Sequence, residues 1–318
     1  MKDTPLILYL VLPCYNEEDA LPASIESLTS FFQQQIQIAN ISSDSKALFV
    51  NDGSTDKTWQ IIADNHKVNP FICGINLTRN VGHQNALLAG MEIAKERADV
   101  IITLDADLQD DISKIPEMIV LFNQGCDIVY GVKKERKADS IFKRTSANIF
   151  YKLMNSLGVK TINNHADFRL MSKRAVEQLF LYQERNLYLR GIVPQLGYKT
   201  DIVYEELKPR TAGESKYTLK KMINLAVDGI TSFSIKPTRL ITGLGIIFLL
   251  LSIGILIYVL ISYLRGVSAS GWSSLILSLW FIGGCVLIGL GIIGEYIGKI
   301  YLEVKNRPRY TIENVLID

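Results

Sequence analysis

The segment Asp105-Ala106-Asp107-Leu108-Gln109 follows directly on the apolar run Val100–Leu104. Two carboxylates at i and i+2 beyond a strand end can hold a hard, hydrated cation, Mg²⁺ or Mn²⁺, that also takes phosphate oxygens as ligands. A lone Asp-x-Asp is more often a solvated turn, but here further polar segments stand at equivalent places. Asn51-Asp52-Gly53-Ser54-Thr55-Asp56 follows a second apolar run. There Asp52 can accept a hydrogen bond from a base or ribose while Gly53 allows a tight turn, although the same residues also suit a capped helix start. Pro13-Cys14-Tyr15-Asn16-Glu17-Glu18 offers an aromatic face for a nucleobase and a carboxylate for a ribose hydroxyl, or a plain turn. Leu77-Thr78-Arg79-Asn80-Val81-Gly82-His83-Gln84 ends a third run and opens a helix, a placement that can aim Arg79 and backbone N–H groups at phosphates. It matches no Walker or dinucleotide fingerprint, and His83 reads as a capping residue without a catalytic role.

Positioning these segments requires a parallel sheet flanked by helices. Short apolar runs at Leu6–Leu12, Ala47–Asn51, Ile72–Leu77, Val100–Leu104 and Ile128–Tyr130 alternate with helical patterns near Leu21–Gln34, Thr55–Asn65, Gln84–Arg97 and Ile112–Phe122. That alternation predicts an α/β fold, and each polar cluster falls at a strand's C-terminal end, where open α/β sheets place their ligand crevice. Past Gly131 come the basic residues Lys133, Lys134, Arg136, Lys137, Lys143 and Arg144, read as a loop leading into a helix around Ser146–Leu157.

The C-terminal third has a different character. Leu240–Leu264 and Val267–Gly294 carry no charge, and each is long enough to span a bilayer, which needs about 20 apolar residues. Before them, Tyr217–Ser234 places Leu219, Met222, Ile223, Ala226, Ile230 and Phe233 near helical spacing beside Lys220 and Lys221, as in an amphipathic helix at a membrane surface. Lys236 and Arg239 precede the first span and Lys299, Lys305, Arg307 and Arg309 follow the second, whereas Arg265 alone lies between; the positive-inside rule then puts both ends in the cytoplasm. A net charge of +2 argues against nucleic acid as a partner, and the four scattered cysteines show no metal-ligand spacing.

Together, Leu12–Glu18, Val50–Asp56, Asn76–Gly90 and Asp105–Asp110 resemble the motif series of family 2 glycosyltransferases. With the two apolar spans, the chain resembles the polyisoprenyl-phosphate glycosyltransferases, which include bactoprenol glucosyltransferases and dolichyl-phosphate mannose synthases. The resemblance implies a GT-A-type catalytic domain over residues 1–214 with a mostly parallel sheet, an amphipathic juxtamembrane helix over 215–236, a two-helix transmembrane hairpin over 237–298 and a cytoplasmic tail over 299–318. It implies that Asp107, with Gln109, binds the metal and that Asp105 contacts the nucleotide, while Pro13, Tyr15, Glu17 and Asp52 surround base and ribose. Lys133, Arg136, Lys143 and Arg144 match the basic residues that relatives place on the acceptor phosphate. Asp167-Phe168-Arg169-Leu170 occupies the place of an acceptor-side motif, without its usual Ser-Gly neighbours.

The activity so implied is inverting transfer of a sugar from a nucleotide donor to undecaprenyl phosphate at the cytoplasmic face of a bacterial inner membrane. UDP-glucose is the first donor expected and GDP-mannose the alternative. A metal stabilises charge on the leaving diphosphate, Arg144 orients the lipid phosphate, and Asp167 serves as an orienting group or base. Gly294-x-x-x-Gly298 permits close helix contact, and similarity to family members makes a tetramer plausible. Two other readings compete: a processive polysaccharide synthase, for which two spans are few and a Gln-x-x-Arg-Trp segment is lacking, and a non-catalytic membrane scaffold or lipid translocator.

Overall fold

The computed structural model describes residues 5–133, 165–184, 189–205 and 271–317, with scattered positions between 238 and 265. These fall into two compact units, one carrying the sheet and the C-terminal segment from Arg307, the other a long apolar helix that precedes it.

The sheet is built from the apolar runs. Strands β1 (Leu8–Cys14), β2 (Lys46–Asn51), β3 (Ile72–Leu77) and β4 (Val100–Thr103) are buried along almost their whole length, as strands covered on both faces must be. The helices α1 (Leu21–Gln37), α2 (Thr58–Val68) and α3 (His83–Ala94) follow β1, β2 and β3 in turn, and α4 (Ile115–Asn123) follows β4 after a short 3₁₀ turn. Leu21, Ile25, Leu28 and Phe32 form one buried stripe of α1 at helical spacing. A β-carbon on Gly90 of α3 would meet Val11 Cγ1 at 2.3 Å, so only glycine lets this helix lie so close to β1.

Beyond α4 the chain adds β5 (Ile128–Lys133), β6 (His165–Ser172), α5 (Lys173–Phe180), the short helix α6 (Leu189–Ile192) and β7 (Thr200–Glu205). The strand order is β7-β5-β6-β4-β1-β2-β3-β8, in which β8 is Ile312–Leu316 near the C-terminus. β1 pairs parallel with both β2 and β4, and β5 with β7, whereas β6 runs antiparallel between β4 and β5 and β8 antiparallel to β3. Chain order reverses on the two sides of β1. That makes the β1/β4 boundary the topological switch point where a ligand crevice opens.

Helix α7 (Trp272–Val304) belongs to the other unit, and its portion Phe281–Val304 is, among the described residues, the one helix long and apolar enough to cross a membrane. Within this unit Phe248 packs edge-on against Phe281 with ring centroids 5.6 Å apart. The helix runs past the expected boundary at Gly298, and the segment expected as a tail from 299 instead ends in β8, whose backbone groups find partners along the open edge of β3. The amphipathic segment 217–234, the basic stretch 134–144 and the helix expected at 146–157 lie outside the described residues, as do most positions of the apolar run 240–264.

At the opposite end of the sheet from the crevice, buried Asp127 accepts hydrogen bonds from Ser172 Oγ at 2.8 Å and from Arg174 Nε and Nη2 at 2.5 Å each, joining the start of β5 to the end of β6. The Arg174 contact is the chief reason its carboxyl is held below the usual 3.8. A depressed carboxylate stabilises the fold above its unfolded pKa and loses that contribution as pH falls through the folded value. Asp127→Asn should therefore melt earlier than the parent at pH 7, with the gap closing below about pH 4; thermal unfolding of both proteins at the two pH values checks this, and a gap that widens in acid would contradict it.

Candidate active site

The C-terminal ends of β1, β2, β3 and β4 surround a cavity of about 290 Å³ lined by Pro13, Cys14, Tyr15, Glu17, Asp52, Asn80, Gly82, His83, Asp105, Ala106 and Asp107. Segments far apart in the chain are thus brought together as the motif reading expected. Two of the loops lace into each other. Asn16 N–H donates to Ser54 Oγ at 3.0 Å, Thr55 N–H to Asn16 Oδ1 at 2.9 Å and Glu17 N–H to Thr58 Oγ1 at 2.9 Å. Because Ser54 and Thr55 are taken up in this lacing, α2 begins at Thr58 rather than at the expected Thr55, with Asp56 Oδ1 accepting from Thr58 N–H at 3.0 Å.

Asp52 is buried, and both its oxygens receive backbone amides, Val81 N–H at 2.7 Å and Gly82 N–H at 3.0 Å. Burial nonetheless leaves its carboxyl above the ordinary value. Its place in the cavity wall suits the expected contact with a base or ribose, and its bonds fix the loop that opens α3. Gly53, at φ +63°, sits beneath that loop: a β-carbon there would meet the Arg79 carbonyl carbon at 2.5 Å. Arg79, expected to face phosphates, turns its guanidinium onto the Asn80 carbonyl at 3.3 Å and is not among the cavity residues.

The acidic loop is held from behind. Ser24 Oγ donates to the Ala106 carbonyl at 2.6 Å, Asp105 N–H to Asp110 Oδ2 at 3.2 Å and Asp111 N–H to Glu205 Oε2 at 2.9 Å. Leu108, at φ +48°, turns the chain so that the Gln109 side-chain amide meets Asp107 Oδ2. Burial, then the negative charge of Asp110, raise the Asp105 carboxyl to about 6. Among the described residues no group of three His, Cys, Asp or Glu side chains converges as a closed metal cage. An ion shared with a nucleotide needs no such cage, since one or two carboxylates and phosphate oxygens suffice. The neighbouring carboxylates of Asp105 and Asp107 offer oxygen donors of the kind Mg²⁺ or Mn²⁺ takes, while the Gln109 amide nitrogen donates to Asp107 Oδ2.

Beside this loop lies a charge cluster. Asp167, on β6, accepts from Arg169 Nη2 at 2.6 Å, from Arg190 Nη2 at 3.1 Å and lies 3.2 Å from His83 Nε2. The same imidazole nitrogen is 3.9 Å from Asp105 Oδ1. Burial alone would raise the Asp167 carboxyl, but the His83 hydrogen bond and the charges of Arg190 and Arg169 outweigh it and hold the group well below the carboxylate range. His83 is raised above 6.5: burial opposes its charge, and the hydrogen bond to Asp167 with the charges of Asp167 and Asp105 prevails. His83, read from sequence as a cap alone, therefore bridges the acidic loop and Asp167. Nothing in the local sequence around Arg190 marks it as a partner of Asp167. Arg169 carried a usable signal, a charge inside the apolar run Phe168–Met171, which a buried strand can hold only with a counter-ion.

Lys133, expected on the acceptor phosphate, lies 3.1 Å from buried Asp110 Oδ1, and that charge raises its pKa against the effect of its own burial. Arg136, Lys143 and Arg144 lie outside the described residues.

Asp167→Asn removes the counter-charge of the fully buried Arg169 guanidinium and should cost about 3–5 kcal/mol of stability, read from denaturant unfolding in detergent. A loss below about 1 kcal/mol, within the range of an exposed pair, would contradict the cluster as described.

Residues 9–180 match the family described as Glycosyl transferase family 2. The sequence is 51% identical over 313 residues to the glycosyltransferase YkoT of Bacillus subtilis (strain 168), covering 98% of this chain and 93% of that one. It is 40% identical over 306 residues to the SfII prophage-derived bactoprenol glucosyl transferase of Shigella flexneri, covering 96% of each. Among solved structures, glucosyl-3-phosphoglycerate synthase from Mycobacterium tuberculosis aligns with a TM-score of 0.45 at 15% identity, over 72% of this chain and 79% of that one. With its mostly parallel, GT-A-like sheet and the motif loops gathered at the strand ends, the chain belongs to the family 2 glycosyltransferases.

Proposed function

We propose that the chain transfers glucose from UDP-glucose to a polyisoprenyl phosphate, undecaprenyl phosphate in a bacterial inner membrane, by a single inverting displacement. The observation that carries this reading is the near full-length similarity to a bactoprenol glucosyl transferase, which extends through the apolar C-terminal region as well as the sheet.

Chain connectivity supports a membrane hairpin. The chain leaves the catalytic sheet after β7 and re-enters it as β8, so the stretch between them starts and ends on one side of any bilayer and must cross it an even number of times. α7 supplies one crossing and the uncharged run Leu240–Leu264 is the natural second, with the basic flanks placing sheet and termini in the cytoplasm. In this reading the amphipathic segment 215–236 lies along the interface, where the lipid acceptor is confined.

Within the cavity, Tyr15, Glu17 and Asp52 take the base and ribose, and Asp105 and Asp107 face the diphosphate end. Asp107 and Gln109 would hold Mg²⁺ or Mn²⁺, which when bound neutralises charge growing on the leaving diphosphate. A lipid phosphate is already anionic at pH 7 and can attack the anomeric carbon without a strong base. Asp167 suits that chemistry as an orienting group: held far below the carboxylate range by its cationic partners, it is a poor proton acceptor and fixes His83 and Arg190 instead. Arg136, Lys143 and Arg144 are assigned to the acceptor phosphate, where guanidinium groups pair with it in two-pronged fashion.

Purified protein in detergent should convert undecaprenyl phosphate to a glycolipid with UDP-glucose, and not with UDP-GlcNAc, UDP-galactose or GDP-mannose. Chelator should abolish product, and Asp107→Ala should lower turnover by about a hundredfold or more while folding is kept. Product from GDP-mannose in place of UDP-glucose would move the assignment to a mannosyltransferase, and nucleotide binding with no lipid product from any donor would favour the scaffold reading.

A further inference from the structure

The segment from Arg307 to β8, part of the unit that carries the sheet, makes side-chain contacts close to the elements that line the cavity. Arg309 Nη2 donates to the carbonyls of Tyr182 at 2.8 Å and Glu184 at 2.7 Å, in the segment that follows α5. Tyr310 donates its hydroxyl to Glu92 on α3, the helix whose first residue is His83. Glu313 Oε2 accepts from Asn76 Nδ2 at 2.7 Å, and Asn76 Oδ1 in turn accepts from Asn51 Nδ2 at 2.6 Å, next to Asp52. The backbone continues the same contact, with Thr78 N–H donating to the Thr311 carbonyl at 3.1 Å just before the Asn80–Gly82 loop that Asp52 holds.

An ordinary edge strand needs only its ladder bonds. These side chains also fasten the ends of β2 and β3, the helix that begins with His83, and the Tyr182 and Glu184 carbonyls after α5.

We infer that Arg309, Tyr310 and Glu313 are positioning residues of the donor site, and that the segment following the membrane helix is a strap that holds the cavity's loops in register. It rests on the cavity being the nucleotide site only for its effect on affinity; the effect on loop order stands apart from that reading. The strap makes donor-site order depend on a segment covalently continuous with α7.

The test uses the full-length chain in detergent, with hydrogen exchange read by mass spectrometry on peptides covering Val81–Asn85 in the absence of ligand. Glu313→Ala should speed exchange of the Val81 and Gly82 amides roughly fivefold or more, and Glu313→Gln, which keeps an acceptor oxygen for Asn76, should restore the parent rate. Arg309→Ala with Tyr310→Phe should do the same at the start of α3. If that double variant does not fold, Tyr310→Phe alone decides. A folded Glu313→Ala or Tyr310→Phe protein whose exchange at these amides matches the parent overturns the strap. UDP affinity measured on the same proteins should fall in parallel, whereas an intact chain that binds neither UDP nor GDP overturns the nucleotide assignment of the cavity and leaves the exchange rates to decide the strap.

Discussion

The charge cluster beside the cavity depends on the need to neutralise one buried guanidinium. Arg169 stands on the central antiparallel strand β6 among Phe168, Leu170 and Met171, with almost no exposure to solvent. An isolated charge there would cost far more than the fold can bear, so Asp167 must stay ionised two residues away on the same face of the strand. Once fixed as a carboxylate, it has capacity for further donors and takes Arg190 and His83. The imidazole is thereby carried over Asp105. A constraint internal to one strand thus links α3, α6 and the acidic loop into one electrostatic unit.

That unit forms a second, charged wall beside the ends of the parallel strands. The four parallel strand ends supply the cavity through topology, since the chain reverses its order at β1. β6, running the opposite way between β4 and β5, brings Asp167 at its beginning to the same end of the sheet. The two walls meet at His83, between a carboxyl raised to about 6 and one held far below its ordinary range. Such divergence between neighbouring carboxylates is what a site for charge-separating chemistry needs: one acidic loop that gains from a cation, and one group whose charge is already spent on orientation.

Much of this was legible in the sequence because it is local. Strands β1 to β5 and helices α1 to α4 follow from apolar runs and helical spacing, and the motif loops fall at strand ends as a parallel sheet demands. What escaped was non-local. β8, Ile-Glu-Asn-Val-Leu, is short and half polar, and its partner β3 lies more than two hundred residues back, so nothing in the segment itself announces a strand. The place of β6 between β4 and β5 is equally a matter of pairing. Lys133 stands in a basic stretch and invites a phosphate, yet buried Asp110 claims it, a competition invisible without the fold. His83 looked like a helix cap because its carboxylate partners are distant in sequence; only Arg169, a charge in an apolar strand, advertised in advance that a buried partner was required.

The most direct measurement is a proton titration of the histidines by NMR on the intact protein in detergent and chelator. The chain has three histidines, and the resonance lost in His83→Gln identifies the one that matters. If the Asp167 cluster organises the site, His83 titrates above the ordinary value of 6.5, because the two carboxylates outweigh its burial. A His83 that titrates below that value, as burial in the wall of a cavity would dictate by itself, contradicts the cluster and with it the account of how the two walls are joined.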